Sequence, residues 1–362
     1  MFLFYLRQLV ECGQALNEWE VRSAVISVPA TMAIVQRRAI KLAAAMAGME
    51  TARILDDPVA AVLPYITSFP CRKQHVLTLE LNLQYLAVSI LKVVKSKPGS
   101  TIAKLCSSNY STRLAEEIID ERILKHVRAM LKEVYSVSLV ANVMLALGLA
   151  CTKINGNDRQ IIKIPPYVLG GKSFSVAITP SMLAVLCHGL FHSIIVPVED
   201  VLARASLTAS DVADVIIMGC GRFVPQITEV LIGLFPAIQV HATVDPRIVV
   251  AEGAALLASN VLNGSDKTID IREWLGCQLI AHVPSETSNM VIPKRSRLPV
   301  ETEVVCTTSI DNQRFIDIEI KWISTEHDRI KLQCQYNQMA KGHCRRCFGV
   351  WMSMELGYGY PI

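Results

Sequence analysis

Residues 76–89 read V-L-T-L-E-L-N-L-Q-Y-L-A-V-S, an apolar strand, a turn at residues 80–85 and a second apolar strand. The pattern predicts a β-hairpin with strands over 75–81 and 85–94, followed by a third strand over 101–107. A hairpin that binds a phosphate group needs glycines, because its backbone must approach the anion closely and often at positive φ. This turn contains no glycine. The stretch therefore predicts a strand pair whose turn is poorly suited to an anion.

The composition is that of a folded globular protein. The chain has 362 residues, of which 51% are hydrophobic and 19% are charged, enough for two domains or one large two-lobed domain. A net charge of +4 and the lack of a long basic stripe argue against direct binding of nucleic acid. Eleven cysteines lie without a repeating frame, which favours reduced thiols and a cytoplasmic location.

Two uncharged stretches, residues 134–152 and 173–198, are long enough to span a membrane. Polar residues interrupt both, with Asn142 in the first and Pro180 and His188 in the second. We therefore interpret both as buried parts of a soluble core, the second divided into a strand and a helix. A membrane protein remains the weaker alternative.

Helical and strand patterns alternate along the first 265 residues, which indicates an α/β protein. Ser111 or Thr112 is expected to cap the long amphipathic helix, and Gly48 to end the second helix. The expected helices cover 1–17, 32–47, 57–65, 111–132, 137–151, 180–195, 198–205, 221–235 and 247–262. The further expected strands cover 24–28, 51–55, 160–164, 173–178 and 214–218.

The pattern changes after residue 264. Short strands are expected over 278–283, 303–308, 315–322 and 329–334, separated by Pro, Ser and Asn. We therefore divide the chain into a main domain over 1–265, a linker over 266–274, a β-type domain over 275–334 and an irregular tail over 335–362.

Five islands of sequence follow one another in the order that a known family has. They are A-V-I-S-V-P-A at 24–30, R-I-L-D-D-P-V-A-A at 53–61, the strand and turn at 214–225, A-E-G-A-A at 251–255 and T-T-S-I-D-N-Q at 307–313. Together they resemble the DnaK-type seventy-kilodalton heat-shock chaperones. The weak glycine motifs are most like the atypical, ribosome-associated branch of that family.

The resemblance implies a partial actin-like (ribonuclease H-like) two-lobed nucleotide-binding domain, followed by an incomplete β-sandwich of the peptide-binding type. It also implies N-terminal truncation, because the family's opening hairpin, first phosphate loop and small subdomain with the catalytic lysine have no counterpart here. The strand over 24–28 is then expected to have an unpaired edge, which a cover, a partner or an N-terminal segment would protect.

The resemblance also places candidate site residues. The family's second phosphate loop falls on residues 80–87, so Glu80 takes the position of its first aspartate, and Asp57 matches the acidic residue beside the attacking water. Glu80 could hold Mg²⁺ through water, although a solvated carboxylate at a strand end is the favoured interpretation. Asp57 is the residual catalytic candidate, with helix capping together with Asp56 as the favoured alternative.

Gly219 and Gly221 fall in the turn that the family uses at adenosine, where Cys220 replaces one glycine. Phe223 replaces the family's adenine-stacking arginine. Its ring could stack on a base, although a core-facing residue is the favoured interpretation. The charged residues that grip the ribose in the family have no counterpart. We treat these positions as a degenerate nucleotide site.

Four metal-ligand types occur near the C-terminus, at Cys334, His343, Cys344 and Cys347. The pair Cys344 and Cys347 has the spacing of half a zinc site. The spacing to the other two residues is irregular, and His343 directly precedes Cys344. We therefore expect no metal site.

Phosphoryl transfer depends on the positioning of the phosphates and on electrostatic stabilisation. Few of the family's residues that provide either have a counterpart in this sequence. We expect a cytoplasmic pseudo-ATPase without a bound cofactor, which assists protein folding as a non-catalytic scaffold or co-chaperone. Its partners would be proteins (a co-chaperone, an unfolded client or a ribosome-associated protein), not nucleic acid or a membrane. The alternative is an ATP-dependent heat-shock chaperone that uses ATP with Mg²⁺ and lacks its N-terminal segment here. A sugar-kinase-like protein is a weaker possibility.

Overall fold

Two compact units make up the computed structural model of the chain, Met1–Asp270 and Ile271–Ile362. The helix expected over 137–151 lies outside the residues that the structure describes. The described residues are 2–17, 21–49, 51–66, 73–97, 100–135, 154, 158–164, 173–219, 221–236, 239–241, 244–262, 269–271, 279–282, 290–292, 303–307, 313–322, 329–339 and 344–349.

The first unit mixes helices and strands, as the alternating pattern predicted. Its described helices are α1 (Phe2–Asn17), α2 (Ile34–Met46), α3 (Asp57–Val62), α4 (Glu116–Tyr135), α5 (Pro180–His192), α6 (Ile195–Ala205), α7 (Val224–Leu234) and α8 (Val249–Leu262). Its described strands are β1 (Ser23–Val28), β2 (Thr51–Asp56), β3 (Lys73–Leu81), β4 (Leu86–Lys97), β5 (Ser100–Ser111), β6 (Gln160–Ile164), β7 (Phe174–Ile178), β8 (Val212–Gly219), β9 (Gln239–His241) and, at the end of the unit, β10 (Ile269–Ile271).

A six-stranded mixed sheet has the strand order β10-β5-β4-β3-β8-β9. Strands β3, β4 and β5 form the predicted antiparallel meander, with Leu81 opposite Leu86 beside the turn. Strand β8 pairs with the other edge of β3 in parallel, and β9 continues the parallel part. Residues 76–81 of β3 are all buried, as is typical of a strand whose two faces are covered.

The main core lies between this sheet and helices α4 to α7. On α4 the fully buried side chains recur every four residues, which gives the helix one apolar face: Ile119, Ile123, Val127 and Leu131. Side chains of β3, α5, α6 and α7 join the same cluster, among them Leu79, Phe191, Val201 and Ile227. The amphipathic pattern of α4 in the sequence therefore predicted its buried face correctly.

The predicted start of α4 was wrong. The helix begins at Glu116, not after Ser111 or Thr112. Ser111 is instead the last residue of β5, where it pairs with Leu86, and its hydroxyl accepts a hydrogen bond from the Arg113 backbone N–H at 3.2 Å. Strand pairing therefore overrides a local helix-capping pattern.

Strands β1 and β2 pair in parallel and form a two-stranded sheet. Helix α2 connects them and ends at Met46, with Ala47 as its C-cap. Gly48 follows the cap at φ +94°, as expected for a glycine after a helix end. Helix α1 packs against α2 through a small cluster of Leu6, Ala44 and Met49. Among the described strands, β1 pairs with β2 alone, so its other edge has no strand partner there.

The uncharged stretch 173–198 divides as predicted into a strand, β7, and helix α5, and it runs on into α6 after a two-residue break. Within the described residues, Pro180–Ala205 is the one helical stretch with the length and composition of a membrane span. Three side chains of α5 are buried, Leu183, Cys187 and Phe191, and α6 buries Pro197, Val198, Val201 and Leu202. This burial favours the core interpretation. Most of the stretch 134–152 lies outside the described residues.

The second unit contains strands β11 (Leu279–His282), β12 (Met290–Ile292), β13 (Glu303–Thr307), β14 (Gln313–Trp322), β15 (Arg329–Met339) and β16 (Cys344–Gly349). Strands β12-β11-β14-β15 form an antiparallel sheet, and β13 pairs with β16. The four expected strands are confirmed. The prediction of an irregular tail was wrong at residues 335–339 and 344–349. Strand β15 runs to Met339, and the polar segment C-R-R-C-F-G forms β16.

Helix α8 packs closely on α3. Gly253 has no space for a side chain, because an added Cβ would overlap the carbonyl oxygen and carbon of Ala60. This contact confirms the close packing that the sequence G-A-A at 253–255 predicted. In contrast, Gly233 of α7 has no heavy atom within 4 Å of an added Cβ.

We expect Gly253→Ala to destabilise the protein by about 1–3 kcal/mol, because the added methyl group forces α8 away from α3. Gly233→Ala is the matched control and should stabilise it by about 0.5–1 kcal/mol, since alanine is the better helix former. Urea-unfolding midpoints measure both. Equal effects of the two variants would contradict the packing described for α8.

Candidate functional site

Glu80 lies near the end of β3 and is only 7% exposed. The Asn82 side-chain amide donates to its Oε1 at 2.5 Å, and the Tyr85 hydroxyl donates to the same oxygen at 3.4 Å. Burial raises the pKa of Glu80, and these two hydrogen bonds oppose the rise. The expectation of a solvated carboxylate was therefore wrong, because the side chains of the turn enclose this carboxyl group.

Asp57 is the first residue of α3 and is 8% exposed. The Ser27 side chain at β1 forms a hydrogen bond with its carboxyl group. Burial, followed by the nearby charge of Glu80, raises the pKa of Asp57 to about 7. The structure therefore brings Asp57 and Glu80 within electrostatic reach of each other. Two buried carboxyl groups that share a site resist ionising together, so the pair retains a proton close to neutral pH.

Asp56 precedes α3 as predicted, but its side chain makes no capping hydrogen bond. It pairs instead with Arg37 of α2 at 2.6 Å, and Arg37 also donates to three backbone carbonyls of residues 29–32. Burial raises the pKa of Asp56, and Arg37 opposes the rise. The capping interpretation of Asp56 and Asp57 was wrong, and the sequence analysis missed the role of Arg37.

The turn between β3 and β4 is held by backbone hydrogen bonds. The N–H of Asn82 donates to the Tyr85 carbonyl at 2.9 Å. At the start of α4, the N–H groups of Glu116 and Glu117 donate to the carbonyls of Asn82 and Leu83, both at 3.1 Å. The free N–H groups at the start of a helix normally favour an anion. Here the turn itself takes up two of them.

Gly219 ends β8 in a conformation that favours glycine, with φ +90°. An added Cβ at Gly219 would overlap the carbonyl oxygen of Leu81. The N–H of Gly219 donates to the Pro246 carbonyl at 2.9 Å. Gly221 is less constrained, because an added Cβ would meet only the Arg247 side chain at ordinary contact distance, 3.7 Å. The residue between the two glycines lies outside the described residues.

Phe223 is fully buried, and its ring tilts against Phe191 with the centroids 6.2 Å apart. The guanidinium carbon of Arg222 lies 4.8 Å from the centroid of the Phe223 ring. Arg222 points towards α4, where it pairs with Glu116 at 3.2 Å and with Asp120 at 2.6 Å. The structure thus places Phe223 in the core, where its ring has no exposed surface.

The structure brings Asp57, Glu80 and Gly219 together around the end of β3, and it places Gly221 and Phe223 after the end of β8. Sequence reasoning missed four contributors: Arg37, Tyr85, Glu116 and Asp120. The spacing of Glu116 and Asp120, four residues apart on one helix, puts both on one face. That spacing is the signal that could have predicted a shared cationic partner.

The Hsp70 protein family matches residues 1–340 of the chain. The chain belongs to the Hsp70 family. It is 27% identical over 324 residues to the chaperone protein dnaK of Guillardia theta, and the alignment covers 87% of this chain and 50% of that protein. The chain therefore spans about half the length of the curated relative it matches. The resemblance read from five sequence islands is confirmed at the level of the Hsp70 family.

The raised pKa of Asp57 predicts a specific pH dependence of stability. Between its ordinary value of 3.8 and about 7, the folded protein retains a proton that the unfolded chain releases. Stability is therefore lost as the pH rises through this range. Asp57→Asn should be the more stable protein at pH 8, by up to about 4 kcal/mol, and the gain should shrink towards pH 4. Denaturant titrations across this range measure it.

Glu121→Gln is the control for this series, because Glu121 is exposed on α4. Its effect should be small and similar at each pH. If Asp57→Asn were equally destabilising at pH 5 and pH 8, the buried acid pair described above would be wrong.

Proposed function

We propose that this Hsp70 chain assists protein folding as a non-catalytic scaffold or co-chaperone with a degenerate nucleotide site. The observation that carries the proposal is the turn at residues 82–85. Its carbonyls accept the first N–H groups of α4, and its side chains enclose Glu80. An anion site needs outward-facing N–H groups and close access to the backbone. This turn uses its polar groups on itself and on α4.

The charges around the turn support the same proposal. Glu80, Glu116 and Glu117 are acidic, and two nearby arginines are already engaged. Arg37 pairs with Asp56, and Arg222 pairs with residues of α4. A triphosphate would therefore meet several like charges, which weakens its binding.

One observation favours the alternative, an ATP-dependent chaperone. Asp57 and Glu80 remain together as a buried acid pair, and carboxylates are ligands that Mg²⁺ prefers. The pKa of Asp57, about 7, also suits a general base that acts at neutral pH. Catalysis in this alternative would rest on Asp57.

A thermal melt with and without saturating Mg-ATP separates the two functions. Our proposal predicts the same melting temperature in both conditions. A ligand at a hundredfold excess over its Kd would instead stabilise the fold by about 2.7 kcal/mol, which the alternative predicts.

The chaperone protein dnaK of Guillardia theta is the positive control for nucleotide and buffer. A shift for this chain that disappears in Asp57→Asn would refute the degenerate site and establish the alternative. A melt that is cooperative and unaffected by Mg-ATP supports the scaffold.

An exposed apolar surface supports a protein partner. Side chains of α1 and α2 face solvent beside the small α1–α2 cluster: Phe4, Tyr5, Leu9 and Leu16 on α1, and Leu42 and Met46 on α2. Exposed apolar patches on a folded protein are typical of sites that bind other proteins. We assign this surface, the α1–α2 face, to an unfolded client or a co-chaperone.

We expect the chain to suppress aggregation of a chemically unfolded model enzyme equally well with and without ATP. Tyr5→Ser combined with Leu9→Ser should weaken this suppression severalfold, because both residues belong to the α1–α2 face. Leu83→Ser is the matched control, since Leu83 is equally exposed, at 60%, but lies in the turn. Light scattering measures the aggregation. Suppression that requires ATP, or that is lost equally in the control, would contradict the assignment.

The assignment of the domains belongs to the same proposal. We assign residues 1–265 and strand β10 to the partial actin-like nucleotide-binding domain, and residues 275–339 to part of a β-sandwich of the peptide-binding type. Strand β10 occupies part of the segment 266–274, which the sequence predicted to be a linker. The antiparallel sheet of β11, β12, β14 and β15 supports the last assignment. The similarity to a dnaK chaperone supports a soluble protein, which we place in the cytoplasm.

A further inference from the structure

A groove of about 650 Å³ lies between α5 and α7. Most of its lining is apolar, with residues such as Val185 and Phe191 on α5 and Val230 on α7. His188 and His192 of α5 and Glu229 of α7 add polar groups to this lining. Neither histidine takes part in the proposed chaperone function.

The two imidazole rings are already close to each other. His188 and His192 are four residues apart on one face of α5, both are exposed, and their ring centroids lie 3.9 Å apart at an interplanar angle of 25°. Two nitrogens that share one tetrahedral Zn²⁺, each at about 2.0–2.1 Å from it, lie roughly 3.3 Å apart. In the stacked arrangement the lone pairs lie in nearly parallel planes, so both side chains must rotate out of the stack to bring their nitrogens to one ion.

A backbone hydrogen bond prepares one of the rings for metal binding. Nδ1 of His192 lies 3.1 Å from the carbonyl oxygen of His188. A carbonyl oxygen can only accept, so Nδ1 carries the proton and the lone pair is on Nε2. Histidines that bind metals commonly donate their other ring N–H to a backbone carbonyl in this way. In this arrangement Nε2 of His192 is the nitrogen that can bind a metal ion.

We propose that His188 and His192 bind a divalent transition-metal ion in this groove. Imidazole nitrogens suit Zn²⁺, Cu²⁺ and Ni²⁺ and are poor ligands for Mg²⁺ and Ca²⁺. The carboxylate of Glu229 lines the same groove and attracts the cation. Among the described side chains, no group of three His, Cys, Asp or Glu residues gathers at one place. Water therefore completes the coordination, and the ion keeps open positions.

Footprinting with diethyl pyrocarbonate, read by mass spectrometry, tests each histidine separately, so binding of zinc elsewhere in the chain does not confuse the result. The probe is ZnCl₂, added to the full reduced chain. We expect Zn²⁺ to slow carbethoxylation of His188 and His192 over the same concentration range, with no effect on His126 of α4. Mg²⁺ at the same concentrations should protect neither histidine.

Single variants test whether the two rings act together. In His188→Ala, the zinc concentration that half-protects His192 should rise about a hundredfold, because chelation by a tethered second ligand is lost. His126→Ala is the matched control and should leave the protection unchanged. The proposal would be overturned if the same zinc concentration half-protected His192 in His188→Ala and in the unaltered chain. It would also be overturned if zinc protected neither ring in the unaltered chain. Thermal melts without zinc verify that each variant is folded.

Discussion

The close approach of Gly219 to the carbonyl of Leu81 fixes the arrangement around the candidate site. A residue with a Cβ would overlap that carbonyl, and the φ of +90° favours glycine for the same reason. The contact holds the end of β8 beside the end of β3 and next to Asn82. The turn that begins at Asn82 then binds the first N–H groups of α4. Backbone packing therefore sets the relative positions of β3, β8, the turn and the start of α4.

Local patterns were sufficient to predict most of the secondary structure of the first unit. Apolar runs predicted the meander of β3, β4 and β5, and the four-residue spacing from Ile119 to Leu131 predicted the buried face of α4. Gly48 and Gly253 were predicted in their roles, because a helix end and a close helix contact each need a residue without a side chain. In each case the pattern is local, although the partner that Gly253 contacts, Ala60, lies far away in the sequence.

The features that the sequence did not predict depend on distant partners. Ser111 has the chemistry of a helix cap, but its pairing with Leu86 keeps it in β5. The polar residues of β16 gave no strand signal, and their partner is β13, about forty residues earlier in the chain. The burial of Asp57 beside Glu80 joins a helix start to a strand end. No local pattern reports such a contact.

The substitutions in the turn have a coupled consequence for Glu80. Asn82 and Tyr85 stand in a turn without glycine, and both side chains donate hydrogen bonds to the buried carboxyl group. A buried carboxyl group without partners would cost several kcal/mol. A glycine at position 82 would reopen the backbone but would also deprive Glu80 of its shorter hydrogen bond. The proposed loss of an anion site and the hydrogen bonding of Glu80 therefore involve the same residues, and reversing one of them opposes the other.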